Sequence, residues 1–128
     1  MRLLLDTSVL IDALRHRHER RELLANLARA GHILTTSALN VAEVYAGMRS
    51  SEETETEGFL GALECYELTR SAGRLAGSLK SQWAGKGRTL ALADTIVAAI
   101  ALEQGCILMT DNRKDFPMPE LDRYPLTK

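Results

Sequence analysis

Cysteine is scarce in this chain: Cys65 and Cys106 are the only two in 128 residues, with no C-x-x-C pair or zinc-ligand spacing. That excludes a disulfide framework and a structural zinc site. It leaves two small thiols, each in an apolar strand-like stretch, expected to be buried in a reducing cytoplasm. Long hydrophobic runs are missing too. The apolar opening Leu3-Leu4-Leu5 meets Asp6 at once, so neither a secretory leader nor a membrane span is expected. Nor is there an excess of positive charge: 16 Lys and Arg oppose 17 Asp and Glu, for a net charge of −1. A broadly basic domain is excluded, so any contact with nucleic acid must use local basic groups or metal ions. Aromatic residues amount to 5%, too few for an extended base-stacking platform. Phosphate loops of the G-x-x-x-x-G-K-S/T type and G-x-S-x-G nucleophile elbows are absent. His16 and His18 are two residues apart and would point different ways on a helix. Both, with His32, read as surface residues.

What is present is a globular pattern, 45% hydrophobic and 26% charged, of the length of one domain spanning 1–128. Leu3-Leu4-Leu5 suits a central parallel strand buried on both faces. Ile33-Leu34-Thr35-Thr36 and Cys65-Tyr66-Glu67-Leu68-Thr69 read as further strands, and Cys106-Ile107-Leu108-Met109 as a second fully apolar one. Tyr124-Pro125-Leu126 is a candidate short edge strand. Helical periodicity fills the gaps. Val9, Leu10, Ala13 and Leu14 share one face, and Leu23, Leu24, Leu27 and Ala28 share another, stopped by Gly31. Ser37 is placed to cap a helix carrying Ala38, Val41, Ala42 and Tyr45. Glu52, Glu53, Glu55 and Glu57 open a helix whose apolar side is Phe59, Leu60 and Leu63, where acid favours the positive helix end. A long helix from about Ser71 carries Ala72, Leu75, Ala76, Leu79 and Trp83. After the loop Gly85-Lys86-Gly87-Arg88, Thr89 is expected to cap a last helix reaching Gln104. Strands alternating with helices predict an α/β fold of three α/β/α layers around a mainly parallel sheet.

Sites in open parallel sheets form at the carboxyl ends of the strands. Two apolar strands here run straight into acids, at Asp6 and at Thr110-Asp111-Asn112. Asp6 is open to a second reading as a helix N-cap. Asp94 lies in Leu90-Ala91-Leu92-Ala93-Asp94-Thr95-Ile96-Val97-Ala98-Ala99-Ile100-Ala101, apolar nearly all round, where a charge is costly unless paired or bound to metal. Glu43 sits mid-helix among apolar residues and shares a face with Asn40; alone it is equally a surface residue. Asp111, Asn112 and Asp115 crowd one turn, where Asp and Asn also serve ordinary turn chemistry. Carboxylates gathered together repel each other, and such a cluster makes sense as a site for Mg²⁺ or Mn²⁺, which favour carboxylate oxygen and water. The reaction such a site serves is phosphodiester hydrolysis.

Four segments carry a family resemblance. Leu3-Leu4-Leu5-Asp6-Thr7-Ser8-Val9-Leu10-Ile11-Asp12, Asn40-Val41-Ala42-Glu43-Val44, Ala93-Asp94-Thr95-Ile96-Val97-Ala98-Ala99-Ile100-Ala101 and Leu108-Met109-Thr110-Asp111-Asn112-Arg113-Lys114-Asp115-Phe116 together resemble the PIN domain, in order and over nearly the whole chain. The ensemble is most similar to VapC-type toxins of bacterial toxin–antitoxin pairs. The resemblance implies a five-stranded parallel sheet and a Mg²⁺- or Mn²⁺-dependent endoribonuclease. It assigns Asp6, Glu43 and Asp94 to the acidic site. Asp115 is the fourth member, with Thr7, Thr110 and Asn112 in support. Asp111 departs from the family pattern and is a rival for the fourth place. A homodimer and a VapB-type antitoxin that blocks the acidic pocket with a basic residue are also implied. Lys86 and Arg88, just before the helix of Asp94, are candidate RNA phosphate contacts, or else a solvated loop. Arg17, Arg20 and Arg21 are expected on the surface or facing a partner. Two other readings share features with this one. A non-catalytic PIN-like module would bind RNA or protein without metal. A phosphotransfer fold would also place Asp at the first strand end, but the phosphatase pattern wants a second Asp where Ser8 stands.

Overall fold

The computed structural model describes residues 1–126, so the last two residues of the expected 1–128 domain lie outside the described residues. In chain order the elements are β1 (Arg2–Leu5), α1 (Thr7–Leu14), α2 (Arg20–Arg29), β2 (Ile33–Ser37), α3 (Ala38–Ala46), α4 (Glu53–Gly61), β3 (Glu64–Tyr66), α5 (Arg70–Gly85), α6 (Leu92–Gln104) and β4 (Ile107–Met109). Single 3₁₀ turns occur at Ser50–Glu52 and Arg113–Asp115.

Every strand pairing is parallel, because each strand returns through helix, and the sheet order is β3-β2-β1-β4. Leu4 of β1 stands opposite Thr35 on one side and Leu108 on the other. The leucine run of β1 is unbroken because both faces are covered. Alternation along the pleat splits the core in two. Leu4 and Leu108 pack with Ala72, Ala76 and Leu79 of α5 and Val97–Ala101 of α6. Leu3, Leu5 and Met109 point the other way, against Val9, Leu10, Leu24, Val44 and Leu60 from α1–α4. This is the expected three-layer α/β/α arrangement. Small residues on α5 and α6 let those helices lie close to each other and to the sheet. Gly105, at φ +64, ends α6 in the left-handed conformation that glycine adopts without a Cβ penalty.

Several sequence expectations are corrected. The sheet has four strands rather than five. The segment expected as a fifth strand at Tyr124-Pro125-Leu126 forms no strand; just before it Arg123 makes one bridge with Leu108, with hydrogen bonds from the Leu108 amide to Asp122 and from the Tyr124 amide to Leu108. The Leu126 amide then turns back to the Tyr124 carbonyl at 2.9 Å instead of pairing with β4, so the ladder stops there. The last helix starts at Leu92 with Ala91 at its N-cap, not at Thr89. β3 spans Glu64–Tyr66 and does not continue to Thr69, whose hydroxyl caps α5 instead. Cys65 is exposed, because β3 is the sheet's edge, while Cys106 is buried as expected. Arg20 is buried at 3% exposure rather than lying on the surface. Among the described residues, no helix is long and apolar enough to cross a membrane.

Candidate active site

The sheet order puts β2 and β3 on one side of β1 and β4 on the other, so the order of strand addition reverses between β1 and β4. Crevices at such switch points, outside the carboxyl ends of the strands, are where open α/β sheets bind ligands. Asp6 ends β1 and Thr110 ends β4, and the two meet there. The Asp6 backbone amide donates to the Met109 carbonyl at 2.9 Å, extending the β1–β4 pairing by one step.

Asp6 is 7% exposed, and its position at the N-cap of α1 carries no capping hydrogen bond from its side chain. Both carboxylate oxygens instead accept from side chains behind the site. The Thr110 hydroxyl donates to Oδ2 at 2.7 Å and the Asn40 amide to Oδ1 at 3.1 Å. Asn40 Nδ2 also donates to Thr7 Oγ1 at 3.0 Å, and the Thr7 hydroxyl donates in turn to Glu43 Oε1 at 2.6 Å. The Ser37 hydroxyl donates to Asn40 Oδ1 at 2.5 Å, which fixes the amide with its nitrogen toward Asp6. Ser37 also caps α3 by accepting from the Asn40 backbone amide, as its place in the sequence predicted. The network therefore has one polarity: Asp6 and Glu43 are acceptors throughout.

Burial pushes the Asp6 carboxyl up, and the Thr110 hydroxyl, the Thr7 backbone amide and the Asn40 amide oppose that rise, while the charge of Glu43 adds to it. Asp94, in the first turn of α6, is pushed up to about 6, first by burial and then by the charges of Asp115, Asp6 and Glu43. The same neighbours define a cluster. Asp115 sits in the 3₁₀ turn after β4, anchored by the fully buried Phe116 beside it. None of the described ion pairs includes Asp6, Glu43, Asp94 or Asp115, so no protein cation in those pairs offsets their charge.

The remaining candidates fall as follows. Thr7 and Thr110 are both in the network. Asn112 joins it through its backbone amide, which donates to Thr110 Oγ1 at 3.0 Å, and its side chain is exposed. Asp111 turns away from the cluster into an ion pair with Arg20 at 2.8 Å, and it is not among the charges that lift Asp94. Lys86 lies over the Trp83 ring, 4.4 Å from its centroid. Arg88 donates to the backbone carbonyl of Lys114, which places it beside the turn of Asp115. Asn40 and Arg20 carry contacts that the sequence reading did not assign. A fully buried Asn on an apolar helix was a legible signal for Asn40. Nothing local marks Arg20.

The PIN domain family model matches residues 3–120. The chain belongs to the PIN domain family. Among curated proteins, this PIN domain is 33% identical over 119 residues to Ribonuclease VapC19 of Mycobacterium tuberculosis, covering 92% of this chain and 95% of that one. It is 31% identical over 123 residues to Ribonuclease VapC10 of the same organism, at 96% and 92% coverage. Its fold matches that in the crystal structure of VapBC2 from Rickettsia felis bound to a promoter DNA fragment, with TM-score 0.86, 23% identity, and 97% of this chain and 98% of that chain covered. A toxin–antitoxin complex from Klebsiella pneumoniae matches with TM-score 0.77 at 25% identity, covering 93% of this chain and 94% of that chain. These relatives place this PIN domain among the VapC-type members.

The donor set of the cluster suits a hard divalent cation. Its available donors are carboxylate oxygens, and none of the described ion pairs includes them. Among the described residues, no three Asp, Glu, His or Cys side chains surround a common point. Mg²⁺ takes one or two carboxylates directly and keeps several waters.

Proposed function

We propose that this PIN domain is a Mg²⁺- or Mn²⁺-dependent endoribonuclease and the toxin of a toxin–antitoxin pair. It acts in the cytoplasm on RNA phosphodiester bonds, with tRNA or rRNA as target and arrest of translation as the result. The observation that supports this reading is the Thr7–Asn40 bridge that links Asp6 to Glu43 at the end of β1, together with the charges of Asp115, Asp6 and Glu43 that add to burial in raising Asp94.

Asp6 and Asp94 would hold the metal, with Glu43 and Asp115 reaching it directly or through water. When bound, a divalent cation supplies a nucleophilic hydroxide near neutral pH and neutralises charge on the phosphate. Each side chain of this chain has a definite task. The Thr110 and Asn40 donors keep both Asp6 oxygens oriented before anything binds, which saves reorganisation at the moment of reaction. Thr7 holds Glu43 at the rim. Asp94 is half-buried at the positive end of α6, where the helix dipole favours its ionised form and partly opposes burial. Arg88, beside the Asp115 turn, is placed to meet a backbone phosphate with its remaining donors.

The partner is a VapB-type antitoxin that delivers a basic side chain to the acidic pocket, in keeping with relatives crystallised as VapBC and toxin–antitoxin complexes. An apolar groove of about 750 Å³ between α2 and α4, lined by Leu24, Ala25, Ala28, Phe59 and Leu63, offers such a chain a seat. A homodimer of this PIN domain, read by light scattering as twice the 14.1 kDa chain mass, completes the assembly.

The deciding experiment incubates purified, partner-free protein with a mixed tRNA and rRNA pool, with Mg²⁺ or Mn²⁺ and with chelator, beside Asp94→Asn. Discrete metal-dependent cuts, lost in the variant while its fold is kept, are expected. Cleavage retained in a folded Asp94→Asn, or cleavage unaffected by chelator, overturns the reading.

A further inference from the structure

Arg20 opens α2, yet its guanidinium is 3% exposed and reaches Asp111, 91 positions along the chain, at 2.8 Å. The same side chain donates to the His18 carbonyl at 3.3 Å, in a link where His16, His18 and Glu19 all hold left-handed backbone. Non-glycine residues take that conformation at a cost, and they keep it only where surrounding contacts require it. The His18 ring is also held, by Asp12 Oδ2 at 2.8 Å. The link is thus bent so that Arg20 points inward.

What Arg20 reaches is the turn behind the acidic site. Three consecutive residues there are tied in different directions. The Thr110 hydroxyl donates to Asp6 Oδ2 at 2.7 Å, and the Asn112 amide, donating to the same hydroxyl oxygen at 3.0 Å, holds that oxygen in place. Between them, the Asp111 amide makes only a long contact of 3.4 Å to Ser8 Oγ. The Arg20 contact to the Asp111 carboxylate is the shorter hold on this residue. If the turn slides, the Asn112 amide leaves Thr110, the hydroxyl is free to rotate, and Asp6 loses the donor on Oδ2.

We propose that the buried Arg20–Asp111 ion pair is a positioning pair for the acidic site, holding the turn after β4 in register so that Thr110 presents its hydroxyl to Asp6. Asp111 is then not a metal ligand but the reason the residues on either side of it are in place. The catalytic consequence rests on the ribonuclease reading, whereas the structural link to Asp6 does not.

The test uses the full chain with the double variant Arg20→Met/Asp111→Leu. Apolar replacement of both members of a buried pair is commonly neutral or stabilising, so this variant keeps its fold where a single removal strands a charge. Arg20→Lys is the conservative partner. Two readouts are taken: hydrogen exchange of the Asn112 amide in metal-free protein, and the split between kcat and KM for RNA cleavage. In the double variant, Asn112 exchange rises at least tenfold and kcat falls at least tenfold, with KM within twofold of wild type. Arg20→Lys recovers part of both. Exchange within twofold of wild type in the folded double variant overturns the proposal. So does raised exchange with kcat unchanged, since the turn would then be loosened without consequence. If the wild-type protein cuts no RNA, the ribonuclease reading fails, and the exchange measurement still decides whether the pair holds the turn.

Discussion

Asn40 Nδ2 lies 3.1 Å from Asp6 Oδ1 and 3.0 Å from Thr7 Oγ1, so a single buried amide supports two acidic residues, Asp6 directly and Glu43 through Thr7. Replacing Asn40 by Ala removes both donors and leaves the Ser37 hydroxyl without its acceptor. Stranding buried polar groups in this way costs about 1–3 kcal/mol. Asn40→Ala is expected to lose stability by that amount in urea titration. It should also lose at least tenfold in kcat on an RNA substrate, because Asp6 and Glu43 are no longer pre-oriented. Asn40→Asp is the sharper variant, since it places another carboxylate against Asp6. A folded Asn40→Asp with wild-type kcat would show that the amide's polarity is irrelevant to the site.

Asp94 yields a prediction about pH. Its carboxyl is pushed up to about 6 in the folded protein from an ordinary value of 3.8. A raised carboxylate means the folded state holds its proton more tightly than the unfolded chain, so this group lowers stability as pH rises through that interval. Above about pH 6 the penalty is fully present, and below about pH 4 it is gone, because both states are then protonated. Metal-free Asp94→Asn should therefore melt higher than wild type at pH 7 to 8, and the difference should fade as pH falls from 6 toward 4. A constant difference across that range, or a variant less stable at pH 8, contradicts the assignment.

Thr110→Val tests the other side of Asp6 with little change of shape. The variant removes the donor on Asp6 Oδ2 and the acceptor for the Asn112 amide. With less hydrogen bonding to oppose burial, the Asp6 carboxyl should titrate higher, since a donor to the charged form favours it. The expected result is an upward shift of the Asp6 carboxyl titration in ¹³C NMR, together with reduced cleavage. An unchanged titration means that Thr110 does not govern Asp6.

These relationships were unevenly visible in the sequence. Leu3-Leu4-Leu5 ending in Asp6 announced a central strand and marked Asp6 as a candidate, because a two-sided buried strand has no packing use for a terminal carboxylate. Asp94 was legible for a similar reason, as a charge in a nearly all-apolar helix. The charges that lift Asp94 come from Asp6, Glu43 and Asp115, three residues picked from segments far apart in the chain. Arg20 was not legible. A basic residue in a charged stretch looks like a surface residue, and only the fold reveals that its mate is Asp111. The fifth strand failed locally, since the apolar character of Tyr124 and Leu126 suggested pairing, whereas the Leu126 amide turns back to the Tyr124 carbonyl. The exposure of Cys65 followed from strand order, which periodicity does not encode.

The proposed antitoxin seat has its own test. Ala28 is exposed and lines the groove between α2 and α4, outside the acidic cluster. Ala28→Glu adds a charge to an apolar contact face without touching the site. A co-expressed VapB-type partner should then inhibit the variant at least tenfold less well, whereas cleavage by the partner-free protein stays at the wild-type rate. Unchanged inhibition would move the partner to another surface.

Metal addition should be visible without any RNA. An ion that binds only the folded state stabilises it by RT ln(1 + [L]/Kd), about 2.7 kcal/mol at a hundredfold excess over Kd. For a domain of this size that is a rise in Tm on the order of 10 °C. The gain is expected to be larger at pH 7.5 than at pH 5, because at the lower pH Asp94 still carries its proton, which the ion must displace. Asp6→Asn should abolish most of the Mn²⁺-dependent rise, since it neutralises the carboxylate whose orientation Thr110 and Asn40 maintain. Asp111→Asn should keep a measurable rise, because Asp111 is engaged by Arg20. Differential scanning calorimetry of the three proteins with Mn²⁺ and with chelator separates these cases. Equal gains in wild type and Asp6→Asn would place the ion somewhere other than the β1–β4 switch point.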